Sequence, residues 1–373
     1  MAKEEGKVPA CLKGRTIEPL RLAGNESVRA MVDEVFAASG FNGRRLAEAC
    51  HLYSRMLRDN ATVALTLSGA MTPIGMSGPI VSLIENGFVD FVISTGANLY
   101  HDLHRPFDCP VVQGHFFVDD NALADKGVAR IYDTFIQDEE TMVATDRVIL
   151  EAVERLDRRQ PISTAQLHRA IGLEVAEKAP HPEKSLLVAA ARYDVPVYCS
   201  APGDSSIGMN LIVPHLFDSP IQIDTLRDVI ETTAIVSAAE KNGAVEVGGG
   251  SPKNFYLQTQ PTLWQVLRDQ AKKGHDYFIQ LTTDAPHWGG LSGATPQEAR
   301  SWGKVKDALA NNVVVYSCAS ITFPLLCQYV LSTNEPRPHR RLFPRMADLT
   351  REMLDTVRTE EAFRRDYRDM YEI

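Results

Sequence analysis

Six short apolar runs, each ending in small or polar residues, constrain the fold of this chain more than any other feature. They are TVALTLSGAM from Thr62, FVDFVISTGAN from Phe88, VPVYCSAPGDSS from Val195, AVEVGGGSPKN from Ala244, YFIQLTTDAPH from Tyr277 and VVVYSCAS from Val313. Each apolar stretch is too short for a helix and is rich in β-branched or aromatic residues, so it predicts a buried strand. Helical patterns such as TLRDVIETTAIVSAAEKNG separate several of the runs. This alternation predicts an α/β fold, a mostly parallel sheet with helices on both faces.

The segments outside this pattern are predicted to be helical. An N-terminal helical segment, 1–60, is helical from about Asn25; the core follows over 61–330, and 331–373 is a charged helical tail. Ala122 to Leu173 predicts a helical insertion between strands, with RIYDTFIQDEETMVATDRVILEAVERLDR as its main helices. Because there is no internal repeat or low-complexity linker, we interpret residues 1–373 as a single domain.

Composition and charge exclude several classes of protein. The 48 acidic and 39 basic side chains give a net charge of −9, which argues against a nucleic-acid-binding protein. Six scattered cysteines without a C-x-x-C pair are typical of free thiols in a reducing compartment. The charged N-terminus MAKEEGKVPACLKGR lacks the apolar centre of a signal peptide, and no run approaches the roughly 18 apolar residues of a membrane span. We therefore predict a cytoplasmic protein that binds neither nucleic acid nor membrane.

Glycine-rich turns follow two of the predicted strands. Residues 248–250 are three glycines between a strand and a probable helix, as a phosphate-binding turn requires, and 95–97 (Thr-Gly-Ala) follow another strand. A tight turn alone would explain each glycine. Because ligands bind beyond the carboxyl ends of parallel strands, several such turns on one edge favour a dinucleotide. The spacing G-x-G-x-x-G is absent, which argues against an ordinary Rossmann dehydrogenase.

The stretch TPQEARSWGK contains a second candidate site. Thr295, Pro296 and Glu298 have the pattern of a helix capping box, which would explain Glu298 without any function. Glu298 and Trp302 are also four residues apart, so they share a helix face on which a carboxylate and an indole could hold an alkylammonium. A Lys304 packed by the indole and shielded from water would have a lowered pKa and could form an imine. Spacing alone leaves both interpretations open.

The same residues carry a resemblance to a known family. SGATPQEARSWGKV, with VGGGSPKN upstream and STGANLYHDL earlier, resembles deoxyhypusine synthase and its bacterial and archaeal relatives, from about Thr62 to Leu326. The resemblance implies a Rossmann-like NAD-binding fold, a homotetramer with active sites at a dimer interface, and Lys304 as the carrier of a covalent imine. In that family NAD takes a hydride from spermidine, 1,3-diaminopropane leaves, and the lysine passes the butylimine to an acceptor amine. The NADH then reduces the product.

The family's functional residues map onto two groups of positions in this chain. The implied NAD contacts are Thr95, Gly96, Ala97, Asp204, Gly248, Gly249, Thr283 and Ala319. The implied substrate-binding residues are Ser206, Asn254, Glu298 and Trp302, and the implied catalytic residue is Lys304.

Several positions depart from the family pattern, and they leave the amine donor and acceptor open. Asn254 stands in place of a histidine of the eukaryotic enzyme, Leu291 and Met209 in place of acidic residues, Tyr100 and His101 in place of an acidic pair, and Cys318 in place of an aspartate. Asp284, His287 and Trp288, beside the matched loop, could supply the lost polar contacts.

Three functions are therefore compatible with the sequence. The acceptor is either a lysine of a translation factor, as in deoxyhypusine synthase, or a free amine, as in an enzyme that makes homospermidine. The third possibility is a non-catalytic NAD-binding relative. The joint presence of Glu298, Trp302 and Lys304 argues against it, because a scaffold has no need of a buried lysine.

Two other charged clusters have weaker functional interpretations. The HDLH stretch, 101–104, could place two histidines on one helix face, but no third ligand is evident and no metal site is predicted. The basic run RPHRRLFPR, ending at Arg345, could bind phosphates or an acidic partner. The negative net charge favours a solvated surface instead.

Overall fold

The structure is a computed structural model that describes residues 14–269, 274–307 and 309–371. The first 13 residues, which include Cys11, and the last two residues of the tail lie outside the described residues. In the described chain the strands are β1 Thr62–Leu67, β2 Phe91–Ser94, β3 Val111–Gln113, β4 Val128–Ile131, β5 Thr134–Gln137, β6 Val197–Cys199, β7 Asn242–Val247, β8 Tyr277–Thr282 and β9 Asn312–Tyr316.

The helices alternate with these strands through most of the chain. They are α1 Val28–Ala30, α2 Phe41–Arg58, α3 Ser77–Glu85, α4 Gly96–His101, α5 Asp120–Ala124, α6 Asp138–Glu154, α7 Thr164–Lys178, α8 Leu186–Arg192, α9 Ser206–Asn210, α10 Ile212–His215, α11 Thr225–Ala238, α12 Gly250–Pro261, α13 Pro296–Ser301, α14 Ala319–Thr333, α15 Met346–Thr359 and α16 Glu361–Tyr371. Short 3-10 turns lie at Arg105–Phe107, Pro182–Lys184, Pro286–Trp288, Leu291–Gly293 and Phe343–Arg345, and π-helical turns at Met31–Phe36 and Thr262–Val266.

One six-stranded sheet contains all six of the strands predicted from apolar runs. Its order is β6-β2-β1-β7-β8-β9, and every neighbouring pair is parallel. Numbered along the chain within this sheet, the order is 3-2-1-4-5-6, the order of dinucleotide-binding folds, and the direction of winding reverses between β1 and β7. The predicted α/β class is confirmed.

Helices cover both faces of the sheet, and the strands alternate between two cores. Val63, Leu65 and Leu67 of β1 pack with residues of α2, α3, α8 and α14, whereas Ala64 packs with residues of α11, α12 and α15. Burial on both faces explains why these strands are continuous apolar runs. The second face matters for function, because it carries α12.

The predicted helical insertion is partly wrong. Residues of the stretch RIYDTFIQ form the end of β4 and all of β5, an antiparallel hairpin that pairs with β3 in a separate three-stranded sheet. Tyr132 in the turn has a φ of +55°, and along β5 Thr134 and Ile136 are buried whereas Gln137 is exposed. This alternation is typical of a strand. Helices α6 and α7 confirm the rest of the insertion.

The charged tail has one apolar face, and the solvated surface predicted for the basic run needs correction. Helix α15 buries Met346, Leu349 and Met353 in the second core, and its outer face is solvated. In the basic run, Arg337 donates to the buried carboxylate of Asp90 at 2.6 Å and is itself largely buried. Part of this run therefore stabilises the fold instead of forming a free cationic patch.

Two further properties of the described residues concern helix hydropathy and the cysteines. No helix in the described part of the chain combines the length and apolar character that crossing a membrane would need. The cysteines within it are free thiols, at positions 50, 109, 199, 318 and 327.

Candidate active site

Lys304 leaves helix α13 through a glycine turn. Gly303 has a φ of +68°, a conformation that favours glycine, and the amide of Lys304 donates to the carbonyl of Ala299 at 2.9 Å. On the other side, the carbonyl of Lys304 accepts from the amide of His275, also at 2.9 Å. The backbone of Lys304 is therefore fixed at both of its polar groups, which gives its side chain a defined origin.

The amine of Lys304 points towards helix α12. Its Nζ donates to Oδ1 of Asn254 at 2.9 Å, and the residue is half-buried. Burial lowers the pKa of Lys304, whereas the charges of Glu298 and Glu246 raise it. The lowered pKa has the direction expected from the sequence. Trp302 is 62% exposed, however, so the indole shields the amine less than the sequence analysis predicted.

A cleft of about 390 Å³ surrounds this amine. It brings together four residues predicted from the sequence, Asn254, Glu298, Trp302 and Lys304. Leu291, which stands where the family pattern has an acidic residue, also lines it. Its lining residues are Lys253, Asn254, Leu257, Gln258, Pro261, Gln265, Leu291, Ala294, Glu298, Ala299, Trp302 and Lys304. Glu298 is the acidic residue among them, so the cleft combines one carboxylate and one indole with an apolar wall.

Glu298 lies on the first turn of α13, where the Thr295 half of the predicted capping box is present. The hydroxyl of Thr295 accepts from the amide of Glu298 at 3.2 Å, and Pro296 occupies the first helical position. The cap determines where α13 begins. It thereby places Glu298 at the mouth of the cleft.

The three glycines at the start of α12 form a tight turn. A Cβ on Gly248 would lie 2.2 Å from Oγ of Ser68, and a Cβ on Gly249 would lie 2.6 Å from Cα of Ser292. The amide of Gly249 donates to Oγ of Ser68 at 2.8 Å, and that of Gly250 donates to Oγ of Ser292 at 2.9 Å. The turn allows close backbone approach, as predicted. The amide of Gly248 donates to the carbonyl of Leu281 at 2.8 Å, so all three amides are already hydrogen-bonded and this is not the open phosphate-binding turn that the sequence suggested.

The remaining predicted NAD residues lie on the same edge of the sheet. Thr95 occupies the N-cap position of α4 after β2. A Cβ on Gly96 would lie 1.9 Å from Cβ of Ser205, so the loops after β2 and β6 touch. Asp204 precedes α9 in that second loop; Thr283 follows β8, and Ala319 opens α14 after β9. All of these residues therefore lie at the carboxyl ends of parallel strands.

Ser206 does not join the other predicted substrate residues within one chain. It begins α9 after β6, at one margin of the sheet, whereas the cleft of Lys304 lies beside α12 and α13. Strand β6 is four positions from β8 in the sheet. At a spacing of about 4.8 Å per strand, these strands are roughly 19 Å apart.

Asp284, His287 and Trp288 are exposed and do not line the cleft, although the rings of His287 and Trp288 lie 4.5 Å apart.

The two histidines of HDLH have partners in the protein. Nδ1 of His101 lies 2.9 Å from Nε2 of His104, whose Nδ1 lies 2.8 Å from Oγ1 of Thr145. Within the described residues, no group of three or more potential metal ligands occurs.

Sequence reasoning missed two charged residues under the cleft. Lys253, on α12, is 1% exposed, and Glu246, in β7, is fully buried. A signal was present, because Glu246 interrupts an otherwise apolar run and Lys253 directly precedes Asn254. Charged residues are almost never fully buried unless they are paired, so both positions are candidates for a functional role.

Comparison with known proteins identifies the family. Residues 30–330 match the family model described as deoxyhypusine synthase. This chain belongs to the deoxyhypusine synthase family. A deoxyhypusine synthase-like protein of Nostoc punctiforme is 43% identical over 340 residues, covering 88% of this chain and 86% of that protein. A deoxyhypusine synthase-like protein of Thermosynechococcus vestitus is 42% identical, covering 89% and 85% respectively.

One solved structure supports the fold of this deoxyhypusine synthase family member. The crystal structure of a candidate deoxyhypusine synthase from Entamoeba histolytica superposes with a TM-score of 0.56, covering 81% of this chain and 93% of that one. The two sequences are 15% identical, so this likeness concerns the fold alone.

Proposed function

We propose that this chain is an NAD-dependent transferase that moves an aminobutyl group from a polyamine such as spermidine to an acceptor amine, through an imine on Lys304. Membership of the deoxyhypusine synthase family supports the class of reaction. One observation carries the assignment to this site. The half-buried amine of Lys304 lies in a cleft with Glu298 and Trp302, held 2.9 Å from Asn254.

The cleft has the chemistry to bind a cationic alkylamine. The carboxylate of Glu298 attracts an ammonium group, the indole of Trp302 offers a π face, and Leu257 and Leu291 accept the methylene chain. Burial favours the uncharged form of Lys304, which is the nucleophilic form. A bound polyamine would thus meet a reactive amine beside its own binding groups.

The edge of the sheet fits NAD in its strand order and its small residues. The contacts would come from Thr95, Gly96, Ala97, Asp204, Gly248, Gly249, Thr283 and Ala319. When bound, NAD would supply the hydride acceptor that oxidises the polyamine and, as NADH, the hydride that reduces the imine of the transferred group. The reversal of winding between β1 and β7 is where dinucleotides bind in such sheets, and Ser68 and the glycine turn lie there.

The chain's own residues then carry the transfer. The lone pair of Lys304 attacks the oxidised carbon, a carbon–nitrogen bond forms, and the bond to the departing diamine breaks as that diamine takes up a proton. The acceptor amine attacks the same carbon and releases Lys304. Asn254 holds the lysine amine in place throughout, and Glu298 binds the distal ammonium.

Ser206 would reach the amine from a second copy of the chain. The helical turns that follow it expose a row of apolar side chains, Met209, Ile212, Leu216 and Phe217. Exposed apolar rows of this kind mark protein–protein contacts. They support the homotetramer, with shared sites, that the resemblance implies.

The acceptor is either a protein lysine or a free amine. Apolar Leu291 and Met209, where the family pattern has acids, favour a less cationic substrate than a eukaryotic deoxyhypusine synthase binds. We therefore propose both acceptors, a free amine as in a homospermidine-forming enzyme and a protein lysine. The third alternative, a non-catalytic NAD-binding relative, predicts no covalent adduct at all.

Borohydride trapping tests the proposal. The full-length protein is incubated with NAD and labelled spermidine or putrescine, reduced, and digested, and the peptide that contains Lys304 is weighed by mass spectrometry. We expect an aminobutyl adduct on Lys304, which Lys304→Arg abolishes because arginine stays charged and cannot form the imine. The matched control is Lys306→Arg, two residues later, where the exposed amine is paired with Asp276 at 2.7 Å.

The outcomes separate the alternatives. An adduct that Lys304→Arg removes and Lys306→Arg retains supports the proposal, and adding candidate acceptor amines or proteins then identifies the product. An adduct that survives in Lys304→Arg refutes the role of Lys304. If no adduct forms while NAD still binds, the non-catalytic alternative holds.

A further inference from the structure

A buried histidine pairs with the backbone of Lys304, and the reaction outlined above gives its side chain no task. His275 is 1% exposed, and its amide donates to the carbonyl of Lys304 at 2.9 Å. Its own carbonyl accepts from the amide of Lys306, also at 2.9 Å, so Val305 lies opposite His275 in a parallel bridge. Lys304 is therefore joined directly to His275 through the main chain.

This bridge decides which way Lys304 points. The side chain of Val305 is fully buried in the second core, and side chains alternate in direction along an extended segment. Lys304 therefore points away from that core and into the cleft. A slip of one residue in the bridge would exchange the two directions and turn the lysine towards the core.

The side chain of His275 anchors the bridge to two other segments. Its Nδ1 lies 2.5 Å from Oδ1 of Asn242, at the start of β7, and the same oxygen accepts from the hydroxyl of Tyr256 at 3.1 Å. The rings of His275 and Tyr256 are stacked, with their centroids 4.1 Å apart. Tyr256 lies on α12, the helix that carries Asn254. His275 is thus connected to both members of the pair formed by Lys304 and Asn254.

A second contact joins the same segment to α12. The amide of Gly274 donates to Oε1 of Gln260 at 2.7 Å, and Gln260 lies one helical turn after Tyr256 on the same face of the helix. Gly274 has a φ of +91°, and a Cβ on it would lie 2.5 Å from the amide nitrogen of Lys306. This close approach of the two backbones favours one register of the bridge.

Packing alone does not explain an imidazole at this position. Because Oδ1 of Asn242 can only accept, Nδ1 of His275 carries the proton, and the other ring nitrogen, Nε2, is left as an acceptor. Nε2 is buried and has no hydrogen-bond partner among the residues that the structure describes. Burying an unpaired acceptor is unfavourable, and a phenylalanine would fill the space without one. Burial also lowers the pKa of His275 to about 3, so the ring is uncharged near neutral pH.

We propose that His275 is a positioning residue for Lys304. Its hydrogen bond to Asn242, on an oxygen shared with Tyr256, holds the bridge in one register. The bridge in turn keeps the amine of Lys304 beside Asn254. This inference rests on the proposed function, because a fixed amine affects the transfer only if Lys304 is the nucleophile.

Two substitutions separate the hydrogen bond of His275 from its bulk. His275→Phe keeps a ring against Tyr256 but removes the donor to Asn242, whereas His275→Asn restores a donor at the position of Nδ1. In the borohydride assay with NAD and labelled spermidine, we expect the adduct on Lys304 to form about tenfold more slowly in His275→Phe. His275→Asn should recover most of that rate. Calorimetry should give both variants the NAD affinity of the unmodified protein.

Hydrogen exchange measures the bridge without any transfer reaction. The amides of His275 and Lys306 close the bridge, so the peptides that contain them should exchange about tenfold faster in His275→Phe and at the original rate in His275→Asn. Peptides of α2, which packs on the opposite face of the sheet, should exchange as in the unmodified protein. A merely structural role would instead speed exchange throughout the core.

His339→Phe is the matched control. His339 also stacks on a tyrosine, Tyr193, with ring centroids 4.2 Å apart, and its Nε2 lies 2.9 Å from the carbonyl of Ile84. None of these three residues lines the cleft. The substitution should therefore change neither the rate of adduct formation nor the exchange of the bridge amides.

A second variant applies if His275→Phe fails to fold. Tyr256→Phe removes only the hydroxyl that shares Oδ1 of Asn242, and it should slow adduct formation about fivefold. Its control is Tyr53→Phe, which removes a buried hydroxyl that donates to the carbonyl of Phe88 at 3.0 Å in the first core. That change should leave the rate as it is.

The outcomes decide the inference in each case. Unchanged exchange of the bridge amides in His275→Phe would overturn it, and so would faster exchange with an unchanged rate of adduct formation. It also fails if His275→Asn recovers nothing, if NAD affinity falls with the rate, or if His339→Phe loses as much. If the unmodified protein forms no adduct, the proposed function fails, and hydrogen exchange still decides whether His275 holds the bridge.

Discussion

Asn254→Asp should disable Lys304 at neutral pH while leaving the cleft in place. The substitution keeps the oxygen that accepts from Nζ of Lys304 at 2.9 Å and adds one negative charge. At this distance and an effective dielectric constant of about 20, the Coulomb attraction is about 6 kcal/mol. Water around the half-buried amine and the cost of desolvating the new carboxylate reduce the net gain to about 2 kcal/mol.

A stabilisation of about 2 kcal/mol in the ammonium form corresponds to roughly thirtyfold less free amine. The pKa of Lys304 rises, so the loss is present below the new pKa and disappears as the pH rises through it. The assay is the initial rate of borohydride-trapped adduct at pH 7 and at pH 10. We expect a rate about thirtyfold lower than that of the unmodified protein at pH 7 and a largely recovered rate at pH 10.

Gln258→Glu provides the matched control. It adds the same charge one helical turn further along α12, in the wall of the same cleft, without a hydrogen bond to the lysine. A solvated charge there should change the rate by about threefold at most. If Asn254→Asp is no slower than Gln258→Glu, or if its loss persists at pH 10, the reasoning about the protonation of Lys304 is refuted.

Two further substitutions test the surrounding structure. Gly249→Ala places a Cβ 2.6 Å from the neighbouring backbone and should weaken NAD binding at least tenfold by calorimetry, whereas Gly78→Ala, which meets nothing within 4 Å, should not. Arg337→Met leaves the buried carboxylate of Asp90 without its closest cation and should lower the free energy of unfolding by about 3–5 kcal/mol in denaturant titrations. Arg341→Met, at an exposed ion pair in the same basic run, should cost about 1 kcal/mol or less, and equal losses would contradict this assignment.

The strands of the main sheet could be predicted because five of the six, all but the edge strand β9, are buried on both faces. Such a strand must be apolar along its length, and its ends must turn, so Thr62–Leu67 and its counterparts are visible without any structure. The hairpin that contains Tyr132 was missed because it is short and half-buried. Its neighbour α6 continues the chain directly, and a short alternating pattern next to a helix is easily assigned to that helix.

The candidate site was only partly visible. Glu298, Trp302 and Lys304 are neighbours in the sequence, so one capped helix and one glycine turn suffice to group them. Asn254 is 50 residues away from Lys304, and its contact could be inferred only through the resemblance. The burial of Lys253 could not be inferred, because a sequence does not show that a lysine on a helix points inward to three acceptors.

The sequence by itself determined the α/β class, the strands, and the collection of small and polar residues at their carboxyl ends. These follow from local patterns of apolar residues, which fix strands and turns within a few residues of each position. Only the tertiary structure decided which of those ends meet. The strand order places Ser206 far from Lys304 within one chain. Packing of α12 on the sheet brings Asn254 into contact with Lys304, with Lys253 and Glu246 buried below the cleft. The proximity of distant segments depends on how strands and helices pack and not on their local pattern.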